Sequence, residues 1–409
     1  MSGETIEVDV AVAGGGLVGP ALALALARAG LRTAVIDRLP LETRADPGFD
    51  GRAYAIALGS ARVLGALGLW PALERSAQPI RDIRVCEGPP RQPPAGLHFD
   101  PRAIDEGRVG WILEDRHLRG ALLAAMAEAP GLAHIGGTAV AGLAAEAGRT
   151  RLTLESGATV SASLAVAADG RRSPVAALGG IGYQALAYRQ SGLVAAIEHE
   201  AEHAGIAHQS FFPGGPFAVL PLPGRRSAIV WSEELRRAEA LMALSDADYT
   251  AELARRIGPR LGRIALAAAR RSHPLSLTLA DSYTAPRLAL AGDAAHGVHP
   301  IAGQGLNMGL RDVAALAEVL LEAGRRGEDI GALDVLRRYE RWRRFDNTAF
   351  ALGMDGLTRL FSNANPLLGA LRATGLGLVE RLPQAKRGFM REAAGLAGTL
   401  PRMLRGQQP

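Results

Sequence analysis

One cysteine, Cys86, stands in 409 residues, so no disulfide can form within the chain and the paired thiols of a CxxC redox centre are missing. Lysine is equally scarce: Lys386 is the sole example, and arginine carries the remaining positive charge, a bias that reads as genomic base composition. Aromatic residues make up 5% of the chain, and no basic patch is interleaved with them, which disfavours nucleic-acid binding. The opening MSGETIEVDV holds acids and no basic residue, which argues against a secretory leader and for a cytoplasmic protein. No serine, histidine and aspartate carry a nucleophile-elbow signature, and no repeat or long low-complexity segment is present, although the prolines around RQPP mark a loop. His199, His203 and His208 lie in a polar stretch, EHEAEHAGIAHQ, without a cysteine partner; a solvated segment is expected there, and no metal site.

What remains is ordinary for a soluble globular chain: 48% hydrophobic and 21% charged residues, with length enough for two or three domains. The uncharged run Val10 to Ala27 is long enough to span a bilayer, but its central GGG and Pro20 favour strand, loop and buried helix.

Each glycine in that run has a mechanical reading. A strand over Val8 to Val12 ends at Ala13; Gly14 permits the tight turn, Gly16 lets the backbone approach a pyrophosphate, and Gly19 allows the next helix to pack closely on the strand. The helix runs from about Pro20 to Ala29, where Gly30 stops it, and its N-terminal amides suit a diphosphate. Asp37 closes the apolar run Thr33 to Ile36, where a carboxylate can accept hydrogen bonds from an adenosine ribose. An adenine dinucleotide with a free 2′-hydroxyl, FAD or NAD, meets these requirements.

A second glycine-rich segment lies far downstream, LALAGDAAHGVHPIAGQGLNMGLRD over Leu288 to Asp312. A strand ending at Gly292 would place the Asp293 carboxylate at its tip, able to hold a polyol or to act as a helix N-cap. The turn from Pro300 to Gly305 would open a helix near Leu306, whose amides suit the negative charge gathered by a reduced flavin ring. His296 and His299 flank this turn and either orient groups near the ring or pack.

This segment resembles the GD box and the adjoining PxxGxGxN helix start of the FAD-dependent aromatic-ring monooxygenases, in particular their ubiquinone-biosynthesis hydroxylase branch. Ala168 to Val175, ADGRRSPV, is similar to that family's DG box, and the resemblance covers most of residues 6 to 345. It implies noncovalent FAD, with Gly14, Gly16, Gly19, Asp37, Asp169, Gly292, Asp293, Gly303, Gly305, Leu306 and Asn307 at the cofactor, Pro300 beside the flavin ring and His296 as a second candidate for the chemistry. GRAYAIALGSARVL resembles the segment in which an arginine, here Arg52, reaches the FAD phosphates; a surface salt bridge is the other reading of Arg52. WILEDRHLRGAL fits a helix near the cofactor, with Asp115 at the spacing where relatives outside the ubiquinone branch often carry arginine and Arg116 one place off.

The fold implied is α/β: a Rossmann-like FAD-binding domain over 1–75, 100–178 and 279–345, an inserted antiparallel-sheet substrate domain over 76–99 and 179–278, and a C-terminal helical region over 346–409. Strands are expected at Leu193 to Ile197, Phe217 to Leu222 and Ser227 to Trp231. The activity implied is hydroxylation of a polyprenylated phenol or quinol, with transient NAD(P)H docking and O2 captured as a flavin C4a-hydroperoxide. A hydroxylase of a small aromatic acid, a flavin-dependent isoprenoid reductase and a non-catalytic scaffold are the other readings. Arg381 to Pro409 holds six basic residues and one acid, with Phe389, Ala393, Leu396 and Leu400 at helical spacing. Such a helix either lies on the inner face of a membrane or docks on the enzyme or a partner subunit.

Overall fold

Short apolar stretches rich in valine, alanine and leucine pair as a parallel sheet, because both of its faces are buried and alternation with polar residues is not required. The computed structural model describes residues 5–88, 96–298, 303–361 and 382–409. Across this sheet the strands run Leu288–Leu290, Thr159–Ala167, Thr5–Ala13, Thr33–Asp37 and Leu132–Gly136, each parallel to its neighbour. Thr284–Ala285 closes one edge antiparallel, and Val140–Ala145 with Thr150–Leu154 forms a meander on Thr159–Ala167.

The helix Val18–Arg28 is buried from Gly19 to Ala27, which its alternation of alanine and leucine permits without a polar face. Against it packs a helix of 21 residues, Gly305–Arg325, where the Gly309 backbone approaches the Val18 side chain. A further helix, Leu333–Phe361, runs beyond it.

A second sheet has nine strands. Its order is His296–Gly297, Arg271–Ala280, Tyr183–His199, Arg226–Glu234, Gly215–Leu222, Ile206–Phe212, Asp82–Glu87 and Leu97–Phe99, with Ile264–Leu266 also beside Tyr183–His199. All its pairs are antiparallel except that between Ile206–Phe212 and Asp82–Glu87. Odd-numbered residues of the central strands, among them Leu193, Ile197, Phe217, Val219, Ile229 and Trp231, pack under helices Leu235–Met242 and Asp246–Ile257. The even-numbered residues face the other way. Ala53–Ala57, Gly110–Glu114 and Gln78–Pro79 make a small third sheet.

Two expectations change. The histidine stretch is not a solvated segment: His199 is buried, bonded to Ala201 O at 2.7 Å and Ser227 Oγ at 3.0 Å, and His203 Nε2 meets Leu222 O at 2.8 Å. Burial, reinforced by the positive Arg260 and Arg84, pushes the His208 pKa down to about 3. In the tail, Phe389 was expected on the apolar stripe of a helix, but in Pro383–Ala393 it is exposed and Met390 is the buried residue. Met390, Ala394 and Leu396 pack on Ile104 and Val109, Gly59 N donates to Ala394 O, and Arg402 N donates to Glu318. From Met390 to Leu404 the tail docks on the enzyme.

Candidate functional site

Strand register assembles the site. Ala13 lies opposite Ala167 and Ile36, and Ala167 opposite Leu290, so the chain leaves all four strands along one carboxyl-end edge. There stand Gly14, Asp37, Asp169 and Asp293, from segments scattered through the sequence, at the edge where open α/β sheets take their ligands.

The glycines are fixed by what surrounds them. Gly14 has φ +116°, and a Cβ there would lie 2.2 Å from Ala168 O. A Cβ at Gly19 would lie 2.0 Å from Gly14 O, so helix and strand touch through backbone. Gly15, not singled out by its motif position, is equally constrained, since a Cβ would stand 2.1 Å from Asp37 Oδ2. Gly16 is the contrast: nothing lies within 4 Å of where its Cβ would project. That open ground at a helix N-terminus is what a diphosphate needs.

Three carboxylates line the edge in different states. Asp37 is buried and paired with Arg44, Nε to Oδ2 at 2.5 Å and Nη2 to Oδ1 at 3.1 Å. Asp169 accepts from Val175 N at 3.3 Å through Oδ2, while its Oδ1 is buried without a partner. Burial raises the Asp169 pKa against the lowering effect of hydrogen bonds from Ser173 and Val175. An orphaned carboxylate oxygen costs about 1–3 kcal/mol, a cost that a ligand hydroxyl would relieve. Asp293 is 42% exposed, sits within the short turn Gly292–Ala294, and caps no helix; its partner is Arg171, Nε to Oδ2 at 3.2 Å.

Pro300 and His299 lie outside the described residues. Beyond them Gly303 has φ +62° and sits where a Cβ would meet the Ala55 side chain at 3.1 Å. Gly305 and the half-buried Leu306 open the helix, and a Cβ at Gly305 would be 3.8 Å from Asp293 Oδ1. Asn307 is spent on the neighbouring strand, accepting from Ala57 N at 2.9 Å and donating to Ala55 O at 2.8 Å. It therefore clamps Ala53–Ala57 to the helix start. Arg52 bonds Asp50 at 2.8 Å and Asp115 at 3.1 Å, and Arg116 is tied to Glu114 at 2.7 Å. Asp115 also receives Tyr54 Oη and Arg119 Nε, at 3.1 Å and 2.9 Å.

His296 is fully buried, with Nε2 2.5 Å from Asp312 Oδ2 and Nδ1 unpartnered, so any effect it has on a reaction passes through neighbours. Asp312, at 0% exposure, also accepts from Gly292 N at 3.1 Å, Arg343 Nε at 3.0 Å and Asn347 Nδ2 at 3.0 Å. Burial pushes its pKa up, but His296, Arg343 and Asn347 outweigh that and hold it at about 2. This network pins the Gly292–Asp293 turn to two helices. Arg343 and Asn347, one turn apart on Leu333–Phe361, carry no sequence motif; their helical spacing is their only signal. Arg171 was also missed: it bonds Asp293, Ser276 O and Val298 O, joining the two large sheets.

Above this edge the second sheet presents an apolar stretch, bordered on the same face by Gln190, Ser232 and Arg226. Val194 pairs with Val230 and Val230 with Ala218, while Leu220 and Ala228 are also paired. Val194, Val230 and Leu220 stay half-buried, and Leu220, Leu222 and Ala228 pack with Ile112, Ala53 and Ala55. Arg271, opposite Val194, turns its guanidinium to Asp50, at 3.6 Å.

Residues 7–345 match the FAD binding domain family. The chain is 45% identical to a ubiquinone hydroxylase, UbiL, of Rhodospirillum rubrum, over 97% of this chain and 92% of the relative. It is 36% identical to the 3-demethoxyubiquinol 3-hydroxylase of Escherichia coli, over 95% of this chain and 98% of that one. In fold it is similar to p-nitrophenol 4-monooxygenase of Pseudomonas putida, with a TM-score of 0.81 at 21% identity, covering 97% of this chain and 99% of that structure. A carboxyl-end edge left open at Gly16, an Asp169 carboxylate with an unpartnered oxygen and relatives matched almost end to end lead to one conclusion: the chain belongs to the FAD-dependent aromatic-ring monooxygenases, in their ubiquinone-biosynthesis hydroxylase branch.

Proposed function

We propose that this enzyme uses NAD(P)H and O2 to hydroxylate the ring of a polyprenylated phenol or quinol in ubiquinone biosynthesis. The observation that carries the substrate class is the apolar stretch of Val194, Val230, Ala218 and Leu220, beside which the guanidinium groups of Arg271 and Arg226 are turned to Asp50 and Glu114. The relatives' names point the same way.

FAD, when bound, supplies the electron transfer from NAD(P)H and the activation of O2. The chain's own residues bind and orient. Gly14, Gly16 and Gly19 leave the Val18–Arg28 N-terminus open to the diphosphate, and Asp37 takes the adenosine ribose beside Arg44. Asp169 and Asp293 hold the ribityl hydroxyls, and the amides of Gly303 to Asn307 face the pyrimidine edge. Arg52 serves the phosphates only by loosening its bonds to Asp50 and Asp115. Pro300 is assigned to the face of the ring. The apolar stretch excludes water. In this reading 1–75, 100–178 and 279–345 form the cofactor domain, and 76–99 with 179–278 the substrate domain.

The test is the specificity constant for NAD(P)H oxidation with a prenylphenol against that with a hydroxybenzoate. Apolar burial at about 0.8 kcal/mol per methylene predicts a preference of at least a hundredfold for the prenylated ring. Equal constants, or preference for the acid, would replace this reading with the small-aromatic one.

A further inference from the structure

Beyond the hydroxylation itself, we propose that the outer face of helix Leu333–Phe361 docks on an anionic phospholipid bilayer. On a helix of 3.6 residues per turn, Arg337, Arg341, Arg344, Phe345, Thr348 and Leu352 fall within about 100° of arc. The face is both basic and apolar. Phe345 is 78% exposed and Leu352 56%, one helical face carrying two large hydrophobic side chains into solvent. Arg337 and Arg341 make no ion pair among the described residues, whereas Arg338 and Arg343 on other faces are paired. Three acids lie near them on the helix: Asp334 and Asp355 fall on the same arc, before and after the arginine cluster, while Glu340, at its side, accepts from Ser282 Oγ, Tyr283 N and Thr284 Oγ1 at 2.8–2.9 Å, leaving Arg344 at 3.7 Å.

Two adjoining cavities open along this face. One, of about 520 Å³, is lined by Arg337, Glu340, Arg341, Arg344, Phe345 and Thr348; the other, of about 460 Å³, runs from Arg337, Glu340 and Arg344 to Gly180 and Asp281. Arginine forks in concave ground suit phosphodiester headgroups, and a protruding phenylalanine suits the acyl boundary. A second copy of the chain is the poorer occupant, because a two-fold contact would set arginine against arginine. No helix among the described residues is long and apolar enough to cross a membrane, so the contact is an interfacial one. The inner side of the same helix reaches the site: Ala351 and Phe350 pack with Leu277, Val298 and Met308 beside the flavin loop. A substrate dissolved in the bilayer would then meet the enzyme one helix diameter from that cluster.

The test is co-sedimentation of the FAD-loaded enzyme with phosphatidylglycerol-containing vesicles and with phosphatidylcholine vesicles, at low and high salt. Three arginines near an anionic surface supply a preference on the order of a hundredfold for the anionic vesicles, and salt screens it. Arg337→Glu with Arg341→Glu should weaken binding at least thirtyfold and Phe345→Ser severalfold, with FAD content unchanged. Lys386→Gln with Arg387→Gln and Arg391→Gln, on the docked tail helix, should stay within about twofold. If wild type ignores anionic vesicles, if the double reversal binds equally well, or if the tail variant loses as much, the proposal fails. Should the double variant lose FAD, the salt series and Phe345→Ser decide, and salt-insensitive binding or an unchanged Phe345→Ser overturns it. Vesicles without substrate keep this outcome separate from the hydroxylase reading.

Discussion

Gly16 and Gly19 stand three residues apart and should fail differently. Gly16 faces open ground, so Gly16→Val should remove FAD, read as loss of the flavin absorbance, while unfolding of the apoprotein stays cooperative and near that of wild-type apoprotein. Flavin retained at full stoichiometry would place the diphosphate elsewhere. Gly19 meets Gly14 O at 2.0 Å from a notional Cβ, so Gly19→Ala should destabilise the fold itself, because backbone on both sides must move. Asp293→Ala removes a charged acceptor and should weaken FAD by one to two powers of ten in a fluorescence titration, from the roughly 1.5–3 kcal/mol of such a bond. Unchanged affinity would reduce Asp293 to a partner of Arg171. The glycines were legible in sequence because each answers to a local need of turn, approach or packing. Gly15 was not, because its constraint comes from Asp37, a contact that exists only after the second strand has paired.

At the scale of elements, a strand that runs apolar into a glycine turn announces itself, and both boundaries of Thr5–Ala13 and Val18–Arg28 fall within a few residues of the sequence reading. The strands Tyr183–His199 and Arg226–Glu234 extend well past their apolar centres, since sheet pairing recruits polar residues that pattern alone assigns to turns. His199 shows why: a hydroxyl from Ser227 and the carbonyl of Ala201 satisfy its ring once the strands are paired. The tail was legible as a helix but not in its rotation, because Met390 and Phe389 are adjacent and only the receiving surface of Ile104 and Val109 chooses between them. The end of the docked tail, which packs into the main core, gives a prediction. Leu404, fully buried, should lose about 2–5 kcal/mol on substitution by alanine, measured by denaturant unfolding. A change under about 0.5 kcal/mol would mean that the tail undocks without consequence.

For the whole molecule, the pH dependence of stability should carry the mark of His208. Its folded pKa of about 3 lies below the unfolded 6.5, so the unfolded chain binds the extra proton first as pH falls. The stability from a neutral, half-buried His208 is therefore intact above about pH 6.5 and drains away as pH drops towards 3. His208→Gln should flatten the decline of the denaturation midpoint across that window relative to wild type; parallel curves would show that other groups carry it. The three flavin motifs were readable one by one, but not the Asp312, His296, Arg343 and Asn347 network that holds one of them, since it joins four positions on three elements through buried contacts.

In the proposed reaction, one oxygen atom from O2 enters the ring of a polyprenylated phenol or quinol. Its most direct test is turnover of the FAD-loaded enzyme with NAD(P)H, isotopically labelled dioxygen and a prenylphenol, followed by mass spectrometry of the product. A ring-hydroxylated prenyl product carrying a single labelled oxygen is expected. A prenyl product reduced at a double bond, or NAD(P)H consumed with all labelled oxygen appearing as hydrogen peroxide and none in the ring, would contradict it.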